Sequence, residues 1–285
     1  MYQTYEGSKR MTYKVGLIQF APKIRDNNYN RNHSVKLIKM AIDKNADLII
    51  LPELANSGLI FSNQEDAYDC SETLEGETAT QWKNLAMENK VYIVAGFNER
   101  VGSECYNSAL LIGPDGIIDT YRKVHLVGWV EGEYFEQTSE LPKMYELPFV
   151  KIGIQICYDV WFPEMSRWHA LQGAELICVP SNWFATPDGV SYDNHGLAAP
   201  HYLMKSSSIA NNLAFANASR IGTEDETEYI GGSCVINNNG QILDGLASEF
   251  EEEVKIVTMS IEKEITRYYF NDLRKDLYKK IYSGN

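Results

Sequence analysis

The sequence predicts an α/β protein that layers helices on a mixed sheet. Short apolar runs alternate with stretches of helical spacing, which is the pattern of strand and helix in turn. Two hairpin turns interrupt that alternation, so part of the sheet is antiparallel. No Gly-, Ser- or Pro-rich linker and no internal repeat divides the 285 residues, which points to one domain.

The elements follow in order. Val15–Phe20 reads as a buried strand, apolar and followed by Pro22. From about Tyr29 to Lys44 the spacing is helical, with Val35, Ile38 and Ile42 on one face. Leu48–Leu51 is a second buried strand, stopped by Pro52; Thr78–Asn89 is a helix with Trp82, Leu85 and Ala86 inward; Val91–Gly96 is a third strand. Ser108–Ile112 and Ile117–Tyr121 flank a Gly113-Pro114-Asp115-Gly116 turn and form a hairpin. Lys151–Ile156 is a strand, Pro163–Leu171 a helix with Pro in its first turn, and Glu175–Val179 a strand ending at Pro180. A helix near Pro200–Asn211, a strand at Leu213–Asn217 and a hairpin around Asn237-Asn238-Asn239-Gly240 come next. Val254–Ser260 is the final strand, leading into a charged helical tail. Residues 1–10 are polar and read as a loosely ordered extension, with the domain occupying 11–285.

Composition narrows the function. With 26 Lys and Arg against 39 Asp and Glu, the net charge is −13, a surface that repels phosphate backbones and argues against nucleic acid as a partner. No apolar run has the length of a membrane span, so no membrane partner is expected. The five cysteines are widely spaced, without CxxC, and an odd number fits reduced thiols in a cytoplasm better than a disulfide framework. The five histidines form neither an i,i+4 pair nor HExxH, which disfavours a metal.

Three segments place a reactive side chain just past a strand, where rigid sheets build sites. Glu53 follows Leu48–Leu51, and a carboxylate there can serve as a base or simply start a turn. Lys123 follows the first hairpin in Tyr121-Arg122-Lys123-Val124-His125-Leu126, where paired cations can also be a solvated sheet edge. Cys157 stands between the strand Lys151–Ile156 and the helix at Pro163, a setting that favours a thiolate, although a buried cysteine can equally be a small hydrophobe. Cys70, Cys105, Cys178 and Cys234 lack that context.

Together, the order LPEL, YRKVHL and ICYDVWFPE resembles the carbon–nitrogen hydrolase, or nitrilase, superfamily, over nearly all of the chain. The resemblance implies a four-layer α-β-β-α sandwich and a Glu-Lys-Cys triad. By that likeness Cys157 is the nucleophile, Glu53 the general base and Lys123 the oxyanion cation, with the backbone N–H of Tyr158 as the second oxyanion donor. Glu131 matches the family's second glutamate better than its neighbour Glu133 does. Two departures stand out: Glu136-Gln137-Thr138 replaces a Pro-Gly turn, and Ala210-Asn211 replaces a Glu-Asn pair. Nitrile-cleaving members commonly have Trp-Glu after the cysteine, and this chain has Tyr158-Asp159, which is closer to the amidase and carbamoyl-hydrolase branches. The expectation is hydrolysis of a small amide through a cysteine thioester, without a cofactor, by a homodimer or higher homo-oligomer. Cleavage of an N-carbamoyl amine, then of a nitrile, are the alternatives, and a catalytically silent binding member is the different class. Trp129, Trp161, Trp183 and Phe184 are candidates for the pocket wall, and Arg122, Arg167 and Arg220 for a carboxylate clamp.

Overall fold

The computed structural model describes residues 12–128, 130–185, 192–260, 272–274 and 276–278. The expected leading extension, most of the helical tail and Trp129 lie outside these.

The first half of the chain runs β1 (Thr12–Gln19), α1 (Asn27–Asp43), β2 (Leu48–Ile50), α2 (Gln64–Asp69), α3 (Glu77–Asn89), β3 (Tyr92–Val101), β4 (Glu104–Gly113) and β5 (Gly116–Arg122). The second half runs β6 (Met144–Glu146), β7 (Lys151–Ile154), α4 (Pro163–Leu171), β8 (Leu176–Ser181), α5 (Ala199–Asn211), β9 (Ala214–Ser219), β10 (Ile221–Glu224), β11 (Thr227–Ile230), β12 (Cys234–Ile236), β13 (Ile242–Leu243) and β14 (Glu253–Ser260). Between β7 and α4, Cys157–Trp161 forms a 3₁₀ turn.

The mixed sheet expected from the residues is two sheets. One has the order β14-β1-β2-β3-β4-β5 and the other β13-β12-β9-β8-β7-β6. In each, three parallel strands sit inside antiparallel flanks: β1–β2–β3 in the first and β7–β8–β9 in the second. Strand alternation shows how they stack. Val15, Leu17, Leu48, Ile50 and Val94 share one core with Ile152, Ile154, Leu176 and Phe215 of the other sheet. Their neighbours Ile18, Ile49, Leu51, Ile93 and Ala95 face the opposite way, onto Leu37, Ile38 and Ala41 of α1 and Trp82 and Ala86 of α3. With Met165 and Ala170 of α4 and Met204 of α5 covering the second sheet, the chain is an α-β-β-α sandwich. Each fully buried Leu or Ile contributes about 1.5–3 kcal/mol. Between α3 and α1, the indole of Trp82 donates to Ser34 Oγ at 2.9 Å, so the largest outer-core side chain leaves no polar atom unsatisfied.

Three local differences from the sequence reading have physical causes. Strands β3 and β4 extend through the polar text Asn98–Asn107, which does not alternate and therefore does not read as strand. Pro180 lies inside β8 because β7 pairs only as far as Cys178; beyond it β8 has a partner on one side alone, where a missing N–H is tolerated. In α1 the buried face is Leu37, Ile38 and Ala41, with Val35 and Ile42 at its margin.

His169 of α4 is fully buried, and its Nε2 lies 3.2 Å from the carbonyl of Ile154. Burial lowers its pKa from 6.5 to about 4. The folded state therefore holds a neutral ring where the unfolded chain binds a proton. This contribution is present above pH 6.5 and is lost as pH falls toward 4, on the order of 3 kcal/mol in full. Urea unfolding should show the parent losing more stability between pH 6.5 and 4 than His169→Gln does. Equal losses would refute the assignment.

Candidate active site

All three reactive segments end at one edge of the sandwich. Glu53 follows parallel β2, and Cys157 follows parallel β7 of the facing sheet. Lys123 follows β5, which two antiparallel pairings bring into the direction of β3. Sites in α/β sheets gather at such carboxyl ends.

Two backbone features shape the edge. Leu54 (φ 46°) and Cys157 (φ 44°) are both left-handed without being glycine. Each costs on the order of 1–3 kcal/mol, a strain typical of functional turns. The Glu53 turn passes directly over Gly96: Gly96 N–H donates to Pro52 O (3.1 Å) and Ala55 N–H donates to Gly96 O (3.0 Å).

The charges form one buried cluster. Lys123 Nζ donates to Glu53 Oε1 and to Glu131 Oε2, both at 2.6 Å. Asn107 Nδ2 donates to Glu53 Oε1 (2.7 Å) and also to Glu131 Oε1. Val127 N–H donates to Glu131 Oε2 at 2.8 Å. All three charged side chains are 2% exposed or less. Burial alone would push Lys123 down, but the pull of Glu131 and Glu53 outweighs it and holds the ammonium well above its ordinary range. Burial, countered by Lys123 and reinforced by Glu53, leaves Glu131 raised. Glu53 Oε2 has no hydrogen-bond partner.

The thiol of Cys157 is 6% exposed. Burial raises its pKa well above the usual value, and the charge of Glu53 adds to this; Lys123 and a hydrogen bond from the backbone N–H of Asn182 pull the other way. The thiolate expected from the strand–helix setting is therefore not the resting form, because desolvation outweighs the local donors. A protonated thiol needs a base, and a carboxylate oxygen free of other partners can be one.

One carboxylate that sequence reasoning gave no role ties the thiol turn to the lysine loop. Asp159, fully buried, accepts from Ile156 N–H (2.9 Å) on the cysteine side. From the lysine side it accepts from Tyr121 OH (2.6 Å) and His125 N–H (3.0 Å), and His125 Nδ1 lies at 2.9 Å. Tyr121 and His125 bracket Lys123, so Asp159 keeps the two loops in register. Its spacing two residues after Cys157 is visible in the sequence, but its partners are not.

The remaining sequence candidates separate. Glu133 is exposed, whereas Glu131 is the glutamate brought to Lys123. Trp161 and buried Trp183 meet edge-on at 6.3 Å, and Trp161 lies 5.9 Å from Tyr158. Phe184 packs on Tyr229 at 6.5 Å, in the cluster that contains Leu54, Val130 and Phe135. Arg122 is bidentate to Glu99 (2.9 and 3.0 Å), and buried Arg220 pairs with Glu224 at 2.8 Å, so both clamp candidates are already engaged. Arg167 donates to Ala210 O at 3.2 Å. A surface cleft of about 520 Å³, lined by residues including Arg25, Asp66, Glu72 and Arg100, contains none of the cluster. Among the described residues no group of His, Cys, Asp and Glu has metal-holding geometry, and no helix is long and apolar enough to cross a membrane.

Known proteins show the same arrangement of chain. A nitrilase of Pyrococcus abyssi is 34% identical over 276 residues, covering 94% of this chain and 98% of its own. A citrullinase of Francisella tularensis and an N-carbamoylputrescine amidase of Solanum lycopersicum are each 30% identical, covering 94% and 95% of this chain and 97% and 95% of their own. The crystal structure of a carbon-nitrogen hydrolase from Helicobacter pylori superimposes with a TM-score of 0.85 at 25% identity, covering 95% of this chain and 98% of that one. An amidase from Nesterenkonia sp. AN1 shares the fold, with a TM-score of 0.77 at 22% identity and coverage of 94% and 96%. The carbon-nitrogen hydrolase family profile matches residues 14–267, which include both faces of the sandwich and every residue of the buried cluster, and the chain belongs to that family.

Proposed function

We propose that the protein hydrolyses the C–N bond of a small amide, giving a carboxylic acid and ammonia through a thioester on Cys157. The observation that carries this is the buried Lys123, held by two carboxylates beside a thiol on a strained turn, with Glu53 Oε2 left unpaired. Glu53 takes the thiol proton as sulfur attacks the carbonyl carbon. The developing oxyanion lies against Lys123 Nζ and the backbone N–H of Tyr158. As the C–N bond breaks, Glu53 returns the proton to nitrogen and ammonia leaves. Water, deprotonated by the same carboxylate, then hydrolyses the thioester and frees the acid and the thiol. Glu131 holds Lys123 in place and offsets its charge. Trp161 and Trp183 supply apolar wall for a short acyl group. The engaged state of Arg122 and Arg220 favours a neutral or cationic substrate over a carboxylate.

Cleavage of an N-carbamoyl amine is the second reading, supported by the relatives named citrullinase and N-carbamoylputrescine amidase. A nitrile is third: a relative carries the name nitrilase, while Tyr158-Asp159 departs from the Trp-Glu of nitrile-cleaving members.

Ammonia and carbon dioxide release from a panel of aliphatic amides, aromatic amides and carbamoyl amines tests the proposal, with Cys157→Ala as control. Ammonia without carbon dioxide, absent in the control, is expected. Equal ammonia from both proteins would sink the hydrolase reading, and carbon dioxide in step with ammonia would move it to the carbamoyl branch.

A further inference from the structure

Asn182 directly follows β8, which pairs with β7, the strand that leads into the Cys157 turn; the next residue, Trp183, meets Trp161 of that turn edge-on at 6.3 Å, and the Asn182 backbone N–H is one of the groups that draw the Cys157 thiol back down. Its side chain is fully buried, yet neither Oδ1 nor Nδ2 has a hydrogen-bond partner. The indole Nε1 of Trp183, next in sequence and 4% exposed, is also unpartnered. Neighbouring buried side chains keep at least one end paired where Asn182 pairs neither: Asn217 Nδ2 donates to Val179 O and Ser181 Oγ while its Oδ1 goes without, and both ring nitrogens of His201 are engaged, with Ala198 N–H and Gly232 O. Burying a polar group without a partner costs about 1–3 kcal/mol, so an amide unpaired at both ends and an unpaired indole, on the segment that packs against the Cys157–Trp161 turn, mark a place where a ligand completes the pairing.

We propose that the Asn182 side chain, seconded by the Trp183 indole N–H, recognises the substrate's carboxamide and so sets the preference for amides over nitriles. The inference rests on the amide-hydrolase reading and assigns its specificity. Asparagine carries one carbonyl acceptor and two N–H donors. A carboxamide presents the complementary pair, so Oδ1 accepts from the substrate's N–H while a donor remains for its other polar edge. A nitrile has only an acceptor and leaves Oδ1 unpaired, and sites built for a hydrogen bond discriminate strongly against analogues that lack it. Being neutral, the asparagine does this without disturbing the balance among Glu53, Lys123 and Glu131.

The test uses Cys157 alkylation, which needs no turnover. Iodoacetamide carries the carboxamide and iodoacetonitrile does not. Rates are followed by intact mass on the full chain, with Cys157→Ala used to subtract the other thiols. Asn182→Leu and the smaller Asn182→Ala should slow iodoacetamide by about 10- to 100-fold, the loss of one or two hydrogen bonds in a buried site, while iodoacetonitrile changes little. Thermal melting of at least one variant should match or exceed the parent, because an unpaired buried amide is a liability in the free protein. An unchanged ratio of the two rates, or equal slowing of both reagents with a lowered melting temperature, overturns the proposal. A changed ratio in a protein that releases ammonia from no amide supports the recognition role and refutes the amidase reading separately.

Discussion

Lys123→Met is expected to remove turnover and to destabilise the protein by about 3–5 kcal/mol, the usual cost of deleting one partner from a buried ion pair. Methionine keeps the length of the side chain but leaves Glu53 and Glu131, each 2.6 Å from the lost ammonium, facing each other in a closed interior. The second variant separates charge from chemistry. Lys123→Met combined with Glu131→Gln removes one of the stranded carboxylates and should recover part of the stability, measured by urea unfolding. Activity should stay absent, because the oxyanion donor is still missing. A Lys123→Met protein as stable as the parent would mean that the cluster is not the closed, ion-paired unit its geometry shows. Residual turnover above a few per cent would remove Lys123 from the proposed chemistry, since losing one oxyanion donor costs roughly 10²–10³ in rate.

Gly96→Ala should disable the site without touching a reactive residue. A Cβ at Gly96 would lie 2.3 Å from Pro52 O, 2.4 Å from Glu53 Cα and 2.6 Å from Leu54 N. These are backbone atoms of the turn that carries Glu53, so no side-chain rotation relieves the clash. The turn must move and give up its hydrogen bonds to Gly96. We expect a loss of about 1–3 kcal/mol from overpacking and a fall of at least about 100-fold in kcat, the usual penalty for misplacing a catalytic group by an ångström. Gly102→Ala is the control: at φ +63° it meets nothing within 4 Å. It should lose a little stability and no activity. Normal kcat in Gly96→Ala would show that the Glu53 turn tolerates displacement.

Most of the element order was legible because apolar periodicity is local. Val15, Leu17 and Ile18, or Leu48, Ile49 and Ile50, announce strands wherever they pack. Helix α4 was legible to its ends, with Pro163 at its start and Gly173 beyond its last turn. Strands β6, β10 and β11, helix α2 and the extension of β3 and β4 were not, because they are short or polar and show no repeating apolar face; pairing and local contacts hold them. The three reactive positions were legible as a set through their order along the chain. Asp159 and Asn182 were not: one is defined by its donors, the other by the absence of any.

By itself, then, the sequence determined most of the strands and helices and which thiol, carboxylate and cation stand just past strands. It also carried the family likeness, because those signals lie within a few neighbouring residues. Periodicity left one sheet or two open, since it records that a face is buried and not what buries it; the family likeness implied the two-sheet sandwich, and the tertiary structure shows which strands make each sheet. Only the tertiary structure closed Glu53 and Lys123, 70 residues apart, into a 2.6 Å pair with the Glu131 contact opposite. And only the packed interior, where an amide either finds a partner or goes without one, singled out Asn182 beside Cys157.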